Sequence, residues 1–354
     1  MDDLLCRQED LAKALGISQM TVSLALRGSR RVSIATRKRV EKAATKMGYR
    51  RNSLFAALRA QRDARHDARY RGTLAWLTNF PNRDGWKMPW IGEYHAGAIE
   101  ASRRWGYQLD THWYREEGIG PERLGKILYA RGVSGILLPP QPGAHTRMDL
   151  DWAQFSAVRF GYSLEWPPVN LVTNHHFFTI SQILDELVAR GFRRIGYALP
   201  CAWDERFLRQ TRGAYLAWQQ TAPRQDRIPV HVPDVWSPQG FLDWVRKCRP
   251  DAVVTAEPET LEVLKRGGIR VPGDISVAFP AMTSTDGRLA GIDQNHHAIG
   301  YAAATMLVSM IERGERGIPA TTRHLLLCGH WVDGKSVANG PGGKAAKNPR
   351  KKAR

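Results

Sequence analysis

Apolar residues recur at three- and four-residue spacing in the first fifty residues, within three short stretches that turn signals separate. The spacing predicts helices over residues 8–15, 19–27 and 34–47. Ser18 and Ser33 stand where the second and third helices begin, and each can cap a first turn with its side-chain oxygen. A turn of only three residues joins the first two helices, so the pattern predicts a helix-turn-helix.

From residue 72 onward, apolar runs typical of buried strands alternate with amphipathic helical stretches. The charged stretch 59–72 has few apolar residues and is predicted to be an exposed linker between the N-terminal helices and this region. Alternation at this spacing predicts two α/β lobes with parallel sheets. The first lobe has predicted strands at 72–77, 107–113 and 133–139 and helices at 92–106 and 121–132. The second has strands at 193–199, 251–256 and 274–279 and helices at 179–191, 209–220 and 259–268.

The net charge of +18 belongs to the two ends of the 354-residue chain. Residues 1–71 carry a net charge of +10, residues 335–354 carry +7, and the 263 residues between them carry only +1. Basic terminal regions on either side of a nearly neutral central region are typical of a protein that binds a polyanion. A merely charged, solvated surface is the alternative interpretation. The Gly/Pro/Lys-rich residues 338–354 are expected to form a disordered basic tail.

Other features exclude several protein classes. No stretch approaches the ~20 apolar residues of a membrane span, and the first residues lack the pattern of a secretory signal. Four widely spaced cysteines without a C-x-x-C pair indicate reduced thiols, so we expect a cytoplasmic protein without membrane association. These cysteines are Cys6, Cys201, Cys248 and Cys328.

The start of the second predicted helix carries the side chains suited to reading DNA. In a helix-turn-helix this helix lies in the major groove with its N-terminal residues at the base edges. Gln19 can bond to an adenine edge through two hydrogen bonds, and Met20 can pack on a thymine methyl. Thr21 and Ser23 can reach bases or phosphates. A small helical bundle with a polar helix start is the alternative, and the basic surroundings favour DNA.

The stretch LAKALGISQMTVSLALRG, followed by VSIATRKRVEKAATKMGYRRNSLFAALR, resembles the lactose-repressor (LacI/GalR) family of bacterial transcription regulators. The resemblance implies a helix-turn-helix DNA-binding domain over residues 1–50 and a hinge helix and linker over 51–71. It also implies a two-lobed effector-binding and dimerisation domain over 72–337, with the periplasmic-binding-protein fold. The expected fold is therefore an α-helical headpiece joined to a two-lobed α/β effector domain with parallel sheets.

The resemblance implies roles for individual DNA contacts. Gln19, Met20 and Leu24 fall at base-reading positions, and Leu58 falls on the leucine that wedges into the minor groove. Leu24 stands where many members carry a polar or basic residue, so the operator sequence does not carry over. The remaining predicted contacts to phosphates or flanking bases, including the start of the hinge helix, are Thr21, Ser23, Arg27, Ser33, Thr36, Tyr49 and Asn52.

The family topology implies that the chain crosses between lobes near Gly161, Gly291 and Thr322. The first lobe would then span about 72–161 and 291–320, and the second about 162–290 and 322–337. The cleft between them lies at the carboxyl ends of the strands, where open α/β sheets take ligands.

Aromatic rings with a few polar groups in that cleft would suit a sugar-like effector. Most of the twelve tryptophans are nevertheless expected to be packing residues. Three positions depart from the family: Gln210 replaces an arginine, Glu257-Pro258 an Asn-Asp pair, and Asn174-His175-His176 a segment with an aspartate. The predicted effector contacts are Asn79, Trp86, Trp90, Trp203, Asp204, Gln210, Arg212, Glu257 and Gln294.

The sequence therefore predicts a homodimeric, sequence-specific regulator, acting as a repressor on a pseudo-palindromic double-stranded operator and controlled by a small sugar-like effector. We expect no enzyme activity, no cofactor and no metal site. The pairs His175-His176 and His296-His297 lack the spacing that zinc favours, so ordinary histidines are the favoured interpretation. Two alternatives stay open: a solute-binding protein without DNA regulation, and an enzyme with a fused DNA-binding head.

Overall fold

The computed structural model describes residues 8–26, 32–47, 70–257, 259–282 and 286–338. In chain order its helices are α1 Gln8–Leu15, α2 Gln19–Leu26, α3 Ile34–Lys46, α4 Pro89–Arg104, α5 Pro121–Ala130, α6 His176–Ala189, α7 Cys201–Arg206, α8 Gln210–Thr221, α9 Pro238–Cys248, α10 Thr260–Arg266 and α11 His296–Arg313. Its strands are β1 Gly72–Thr78, β2 Tyr107–Trp113, β3 Val133–Leu138, β4 Thr146–Arg147, β5 Ser156–Phe160, β6 Leu164–Trp166, β7 Asn170–Asn174, β8 Ile195–Ala198, β9 Ala252–Thr255, β10 Ser276–Phe279, β11 Ala290–Asp293, β12 His324–Leu327 and β13 His330–Val332.

The first three helices form a small unit around a core of their own, which includes the fully buried Leu11, Val22 and Val40. Gly16 ends α1 with a φ of +64°, in the left-handed region where a side chain is strained. The next amide, that of Ile17, donates back to the Ala12 carbonyl at 3.1 Å and so closes the helix end. The predicted helix-turn-helix is confirmed.

The first lobe is built on a six-stranded sheet with the order β12-β7-β5-β3-β1-β2, and all its strand pairs are parallel. Helices α4 and α11 cover one face, and α5 covers the other. Helices α4 and α11 touch at the level of their backbones. A Cβ on Gly97 would lie 1.9 Å from the His297 carbonyl oxygen, and one on Gly300 equally close to that of Tyr94. Glycine is therefore required at both positions.

The second lobe is built on a five-stranded sheet with the order β13-β11-β10-β9-β8, and only β13 is antiparallel to its neighbour among the described strands. Helices α6 and α8 pack on one face of the sheet, and α9 and α10 pack on the other. The two α/β lobes expected from the sequence are confirmed. The short strands β4 and β6 pair with each other beside the first lobe.

Strand pairing moves the crossings between lobes away from the predicted positions. The prediction near Gly161 is wrong, because β7 continues the first sheet and the chain crosses only between Asn174 and His176. The prediction near Thr322 is wrong for the same reason, since β12 pairs with β7 in the first sheet. The crossing predicted near Gly291 lies just past Asp293, at the end of β11, which pairs with β10 in the second sheet.

No helix within the described ranges is both long and apolar enough to cross a membrane.

Candidate nucleic-acid interface and ligand cleft

The N-terminal turn of α2 is the exposed part of the headpiece that the sequence predicts to read DNA. The side chain of Gln19 is exposed, and Met20 is 70% exposed although it is a large apolar residue. Val22 and Ala25 point to the opposite side and are buried in the headpiece core. The helix is thus held by its apolar face, which leaves its first turn free to enter a groove.

The same serine–threonine cap begins both α2 and α3. The Ser18 hydroxyl accepts from the Thr21 amide at 3.1 Å and lies 2.8 Å from its hydroxyl. Ser33 caps α3 in the same way, with its oxygen 3.2 Å from the Thr36 amide nitrogen. Helix N-termini favour phosphate oxygens through their unpaired N–H groups and dipole. The predicted phosphate contacts Ser33 and Thr36 therefore lie at a suitable place.

The other predicted DNA contacts differ in how accessible they are. Ser23 is half-buried, and Leu24 packs partly against the headpiece core. The remaining predicted contacts, Arg27, Tyr49, Asn52 and Leu58, lie outside the described residues.

A cavity lies in the second lobe at the carboxyl ends of β8, β9 and β10, where the sheet faces the cleft. It encloses about 360 Å³ with its open mouth included. Its wall is mostly apolar and includes Phe207 and Val254. The polar side chains that line it are His176, Thr179, Tyr197, Thr211, Thr255 and Gln294.

Two of the hydroxyl groups at the cavity wall form a hydrogen bond with each other, and a third has no hydrogen-bond partner among the described residues. The Tyr197 and Thr211 hydroxyls lie 2.8 Å apart. The Thr179 hydroxyl is buried without a hydrogen-bond partner among the described residues, and its residue is only 1% exposed. A buried hydroxyl without a partner is costly in a folded protein, so Thr179 is available to a ligand.

His176 is held as a neutral ring at the wall of the cavity. Its Nδ1 lies 3.0 Å from Nδ2 of Asn174, an arrangement in which the amide donates and Nε2 carries the ring proton. Burial, with a smaller contribution from neighbouring His175, lowers the pKa of His176 to about 3. The Phe207 ring lies 4.5 Å from it, centroid to centroid. At neutral pH, therefore, His176 offers this site a hydrogen bond and no charge.

Five of the predicted effector contacts lie at or near this cavity. Gln294 lines it and donates through Nε2 to the Pro280 carbonyl at 2.7 Å. Trp203 lies on α7, stacked on the cavity residue Phe207, and Gln210 begins α8. The other two, Asp204 and Arg212, form a pair with Nη2 3.1 Å from Oδ2.

The Asp204–Arg212 pair is inside the lobe. Asp204 is fully buried, and burial raises the pKa of its carboxyl although Arg212 acts in the opposite direction. Neither oxygen of the Asp204 carboxylate accepts a hydrogen bond from the described residues. Its contact with Arg212 is therefore an ion pair without a hydrogen bond. Because the two charges face each other, Arg212 has its own counter-ion without any ligand.

The predicted contacts of the first lobe are occupied in packing. Trp86 is 6% exposed and contacts Trp76 and His95, with ring centroids 5.9 and 4.8 Å away. Trp90 is half-buried against Tyr94. Asn79 is buried, and its Oδ1 accepts from Arg115 Nε at 2.9 Å. The structure does not bring these three side chains to the cavity wall.

Glu257 follows β9, and its amide donates to the Thr255 hydroxyl at 3.2 Å. Burial is the main cause that raises the pKa of its carboxyl, and Glu259 adds to it.

Comparison with known families agrees with both halves of this geometry. Residues 9–52 match the model of the bacterial regulatory proteins of the lacI family, and residues 184–337 match that of the periplasmic binding protein-like domain. The chain is 29% identical over 336 residues to the HTH-type transcriptional regulator CelR of Thermobifida fusca. That alignment covers 86% of this chain and 91% of the relative.

The chain thus joins a region similar to the lacI family of bacterial regulatory proteins, residues 9–52, to a region similar to the periplasmic binding protein-like domain, residues 184–337. A second relative, the HTH-type transcriptional regulator GntR of Escherichia coli strain K12, is 24% identical over 330 residues, covering 88% of this chain and 93% of the relative. Both relatives are HTH-type transcriptional regulators.

Solved structures show the same fold along nearly the whole chain. The CelR–cellobiose complex has a TM-score of 0.52 at 24% identity, covering 94% of this chain and 99% of that one. The lac repressor dimer bound to operator and the anti-inducer ONPF has a TM-score of 0.54 at 18% identity, covering 94% and 100%. The expected headpiece and two-lobed effector fold is confirmed.

Several residues that line the cavity are absent from the effector contacts predicted from the sequence. Thr179, Thr211 and Thr255 lie in helices or at a strand end, where a threonine carries no signal of its own. His176 and Phe207 become neighbours only because α6 and α7 meet at the cleft. The pairs His175-His176 and His296-His297 each begin a helix. Across the described ranges, no group of three or more His, Cys, Asp or Glu side chains could hold a metal ion.

Proposed function

We propose that the chain is a repressor that binds a pseudo-palindromic DNA operator as a homodimer and is controlled by a small, sugar-like effector in the lobe cleft. The exposed first turn of α2, held by the buried Val22 and Ala25, is the observation that carries the DNA part. The net charge of +10 over residues 1–71 supports it, because phosphate contacts supply much of the affinity of such proteins.

A homodimer follows from the geometry of recognition. One recognition helix reads one half-site, so a pseudo-palindrome needs two headpieces related by a two-fold axis. The lac repressor, which has this fold, forms a dimer on its operator. We place the protein in the cytoplasm, where its DNA would be, and assign it no enzymatic reaction.

Effector control rests on the cavity and on the lobe crossings. The cavity wall includes His176 at the first crossing and Gln294 at the second, so a ligand that contacts both would favour one arrangement of the lobes. CelR binds cellobiose in the same fold. In this proposal, the hinge residues near Asn52 and the minor-groove wedge Leu58 transmit the lobe arrangement to the headpiece.

The test is the selection of binding sites from a random double-stranded DNA pool by the full chain at one fixed salt concentration. We expect a motif with two related half-sites, spaced so that two α2 helices enter the major groove on one face of the duplex. Sedimentation of the complex should give two chains per site. Recovery of DNA without any enriched motif, at moderate salt, would contradict sequence-specific regulation, and one chain per site would contradict the dimer.

A further inference from the structure

Arg206 is a cation at the mouth of the cleft, at the end of α7 and next to the cavity residue Phe207. Its Nη1 donates across the cleft to the backbone oxygen of Gln141, which follows β3 of the first lobe, at 2.6 Å. Its guanidinium lies over the Trp203 ring, 5.0 Å from the centroid. Arg206 thus joins the two lobes at the edge of the proposed effector site.

Among the residues that the structure describes, this arginine has no counter-ion. Within the described ranges, no carboxylate lies in salt-bridge distance of Arg206, and its Nε has no hydrogen-bond partner. The nearby carboxylate of Asp204 faces Arg212 instead. Burial lowers the pKa of Arg206, and no acid opposes that shift. A partly buried cation with neither an acid nor a full set of acceptors destabilises the protein unless a ligand provides them.

Two other partly buried arginines of the same lobe have acids or several backbone carbonyls as partners. Arg190 contacts the carboxylates of Glu186 and Asp333. Arg194 donates to three backbone carbonyls at the far end of the sheet, those of Cys248, Arg249 and Gln225. Arg206 at the cleft therefore lacks partners that Arg190 and Arg194 of the same lobe have.

Two buried polar groups, one on each lobe, also have an atom without a partner among the described residues. Gln141 is fully buried, and its Nε2 donates to the Pro139 carbonyl at 2.6 Å while Oε1 has no donor among the described residues. Thr179 has its partnerless hydroxyl at the cavity wall. The backbone of Gln141 contacts Arg206, and Thr179 lines the same cavity as Phe207, the next residue after Arg206. The free acceptor of Gln141 and the hydroxyl of Thr179 both suit the hydroxyl groups of a ligand.

We infer that the effector is an anionic polyol, a hydroxylated molecule with a carboxylate or phosphate group, and that Arg206 binds its anionic group. Gln141 and Thr179 bind hydroxyls of the same molecule. This inference rests on the proposed function, since it names the ligand class of the proposed effector site.

The charges of the neighbouring groups leave this role to Arg206. Arg212 is neutralised by Asp204, and His176 is neutral at the wall of the cavity. An anionic oxygen at Arg206 would supply the missing counter-ion through a charge-assisted hydrogen bond. Because Gln141 and Arg206 belong to different lobes, a ligand bound to both would hold the lobes together.

The test measures the unfolding temperature of the full chain and of Arg206→Met with four probes: glucose, glucuronate, glucose 6-phosphate and sodium sulfate. The three sugars share one ring and differ in the group at C6, so they separate a carboxylate source from a phosphate source. Sulfate, compared with sodium chloride at equal ionic strength, tests the anion site independently of sugar stereochemistry.

We expect at least one anion to raise the unfolding temperature of the wild type by about 2–4 °C more than glucose does, and Arg206→Met to lose that difference. Sulfate stabilises proteins by exclusion from their surface too, so only the difference between wild type and variant counts. The inference is overturned if glucose matches the anions, if the variant keeps the anion-dependent rise, or if no anion raises the wild type beyond its control.

A second readout separates ligand binding from a structural role. Without ligand, Arg206→Met should unfold at the same or a higher temperature, because an apolar side chain replaces an unpaired charge. The matched variant Arg194→Met should unfold at a lower temperature, because three carbonyls lose their donor. An equal fall of the unfolding temperature in both variants would show that Arg206 stabilises the fold in the same way as Arg194, and it would overturn the inference. Neither readout involves DNA, so a failure here leaves the DNA-selection test of the proposed function untouched.

Discussion

The two lobes differ in what they place at the cleft. In the first lobe, Trp76 near the carboxyl end of β1 contacts Trp86, His95 and Phe160, and this aromatic cluster is largely closed to solvent. In the second lobe, the corresponding strand ends open into a cavity edged by hydroxyl groups such as those of Thr179 and Thr211. The tryptophans at the strand ends of the first lobe are thus used in packing, whereas the strand ends of the second lobe leave polar side chains at a cavity wall.

The largest expected effect is on stability in the first lobe. Trp76 is fully buried, so Trp76→Ala should lower the free energy of unfolding by about 3–5 kcal/mol through lost burial and the resulting cavity. Trp203 on the second lobe is partly exposed, and Trp203→Ala should lower it by only about 1 kcal/mol. Urea denaturation of the full chain measures both values. Equal losses of unfolding free energy in the two variants would contradict the difference between a packed first lobe and an open second lobe.

The next effect is the pH dependence of stability that two buried histidines cause, His296 at the start of α11 on the first lobe and His176 at the start of α6 on the second. Burial lowers the pKa of His176 to about 3 and that of His296 to about 4, below the value of ~6.5 in the unfolded chain. Since the unfolded state binds the proton more tightly, stability is complete above about pH 6.5 and falls as the pH drops toward the folded pKa. Each histidine should account for a loss of roughly 2 kcal/mol between pH 8 and pH 5.

The variants His176→Gln and His296→Gln should each reduce that pH-dependent loss by roughly 2 kcal/mol. Denaturation midpoints at pH 8 and pH 5 supply the comparison. An unchanged pH dependence in either buried-histidine variant would mean that its ring is not held neutral by the fold.

The smallest effect distinguishes two of the three threonines that line the cavity. Thr211→Val removes the hydroxyl that lies 2.8 Å from the Tyr197 hydroxyl and should cost about 1 kcal/mol of stability. Thr179→Val replaces a buried hydroxyl that has no protein partner among the described residues, and it should leave stability unchanged or slightly raised. If Thr179→Val costs as much as Thr211→Val, the Thr179 hydroxyl is part of the folded structure and not available to a ligand.

Local signals made the headpiece predictable. The caps at Ser18 and Ser33, the glycine turn at residue 16 and the apolar spacing lie within a few residues of the elements they specify. The predicted helices accordingly agree with α1, α2 and α3 to within one residue wherever the structure describes them. Most predicted strands and helices of the lobes also lie where they were expected, because buried strands and amphipathic helices have distinct periods.

Long-range pairing limited the prediction of the body. Nothing local reveals that β7 extends the first sheet or that β12 returns to it, so the crossings near Gly161 and Thr322 are misplaced. The cleft was predictable only in part for the same reason. Gln294, Trp203 and Asp204 follow from their positions after strands, whereas Arg206 and Gln141 meet only once the lobes have folded.

The most direct test of the central claim, that α2 reads DNA, compares the motifs selected from random DNA by the wild type, Gln19→Ala and the control Glu41→Ala. Gln19 is exposed at the start of α2, and Glu41 is exposed on α3. We expect Gln19→Ala to keep the half-site arrangement but to relax the preference at one base pair per half-site by about 1–3 kcal/mol, and Glu41→Ala to select the wild-type motif. An unaltered motif in Gln19→Ala would contradict the assignment of α2 as the recognition helix.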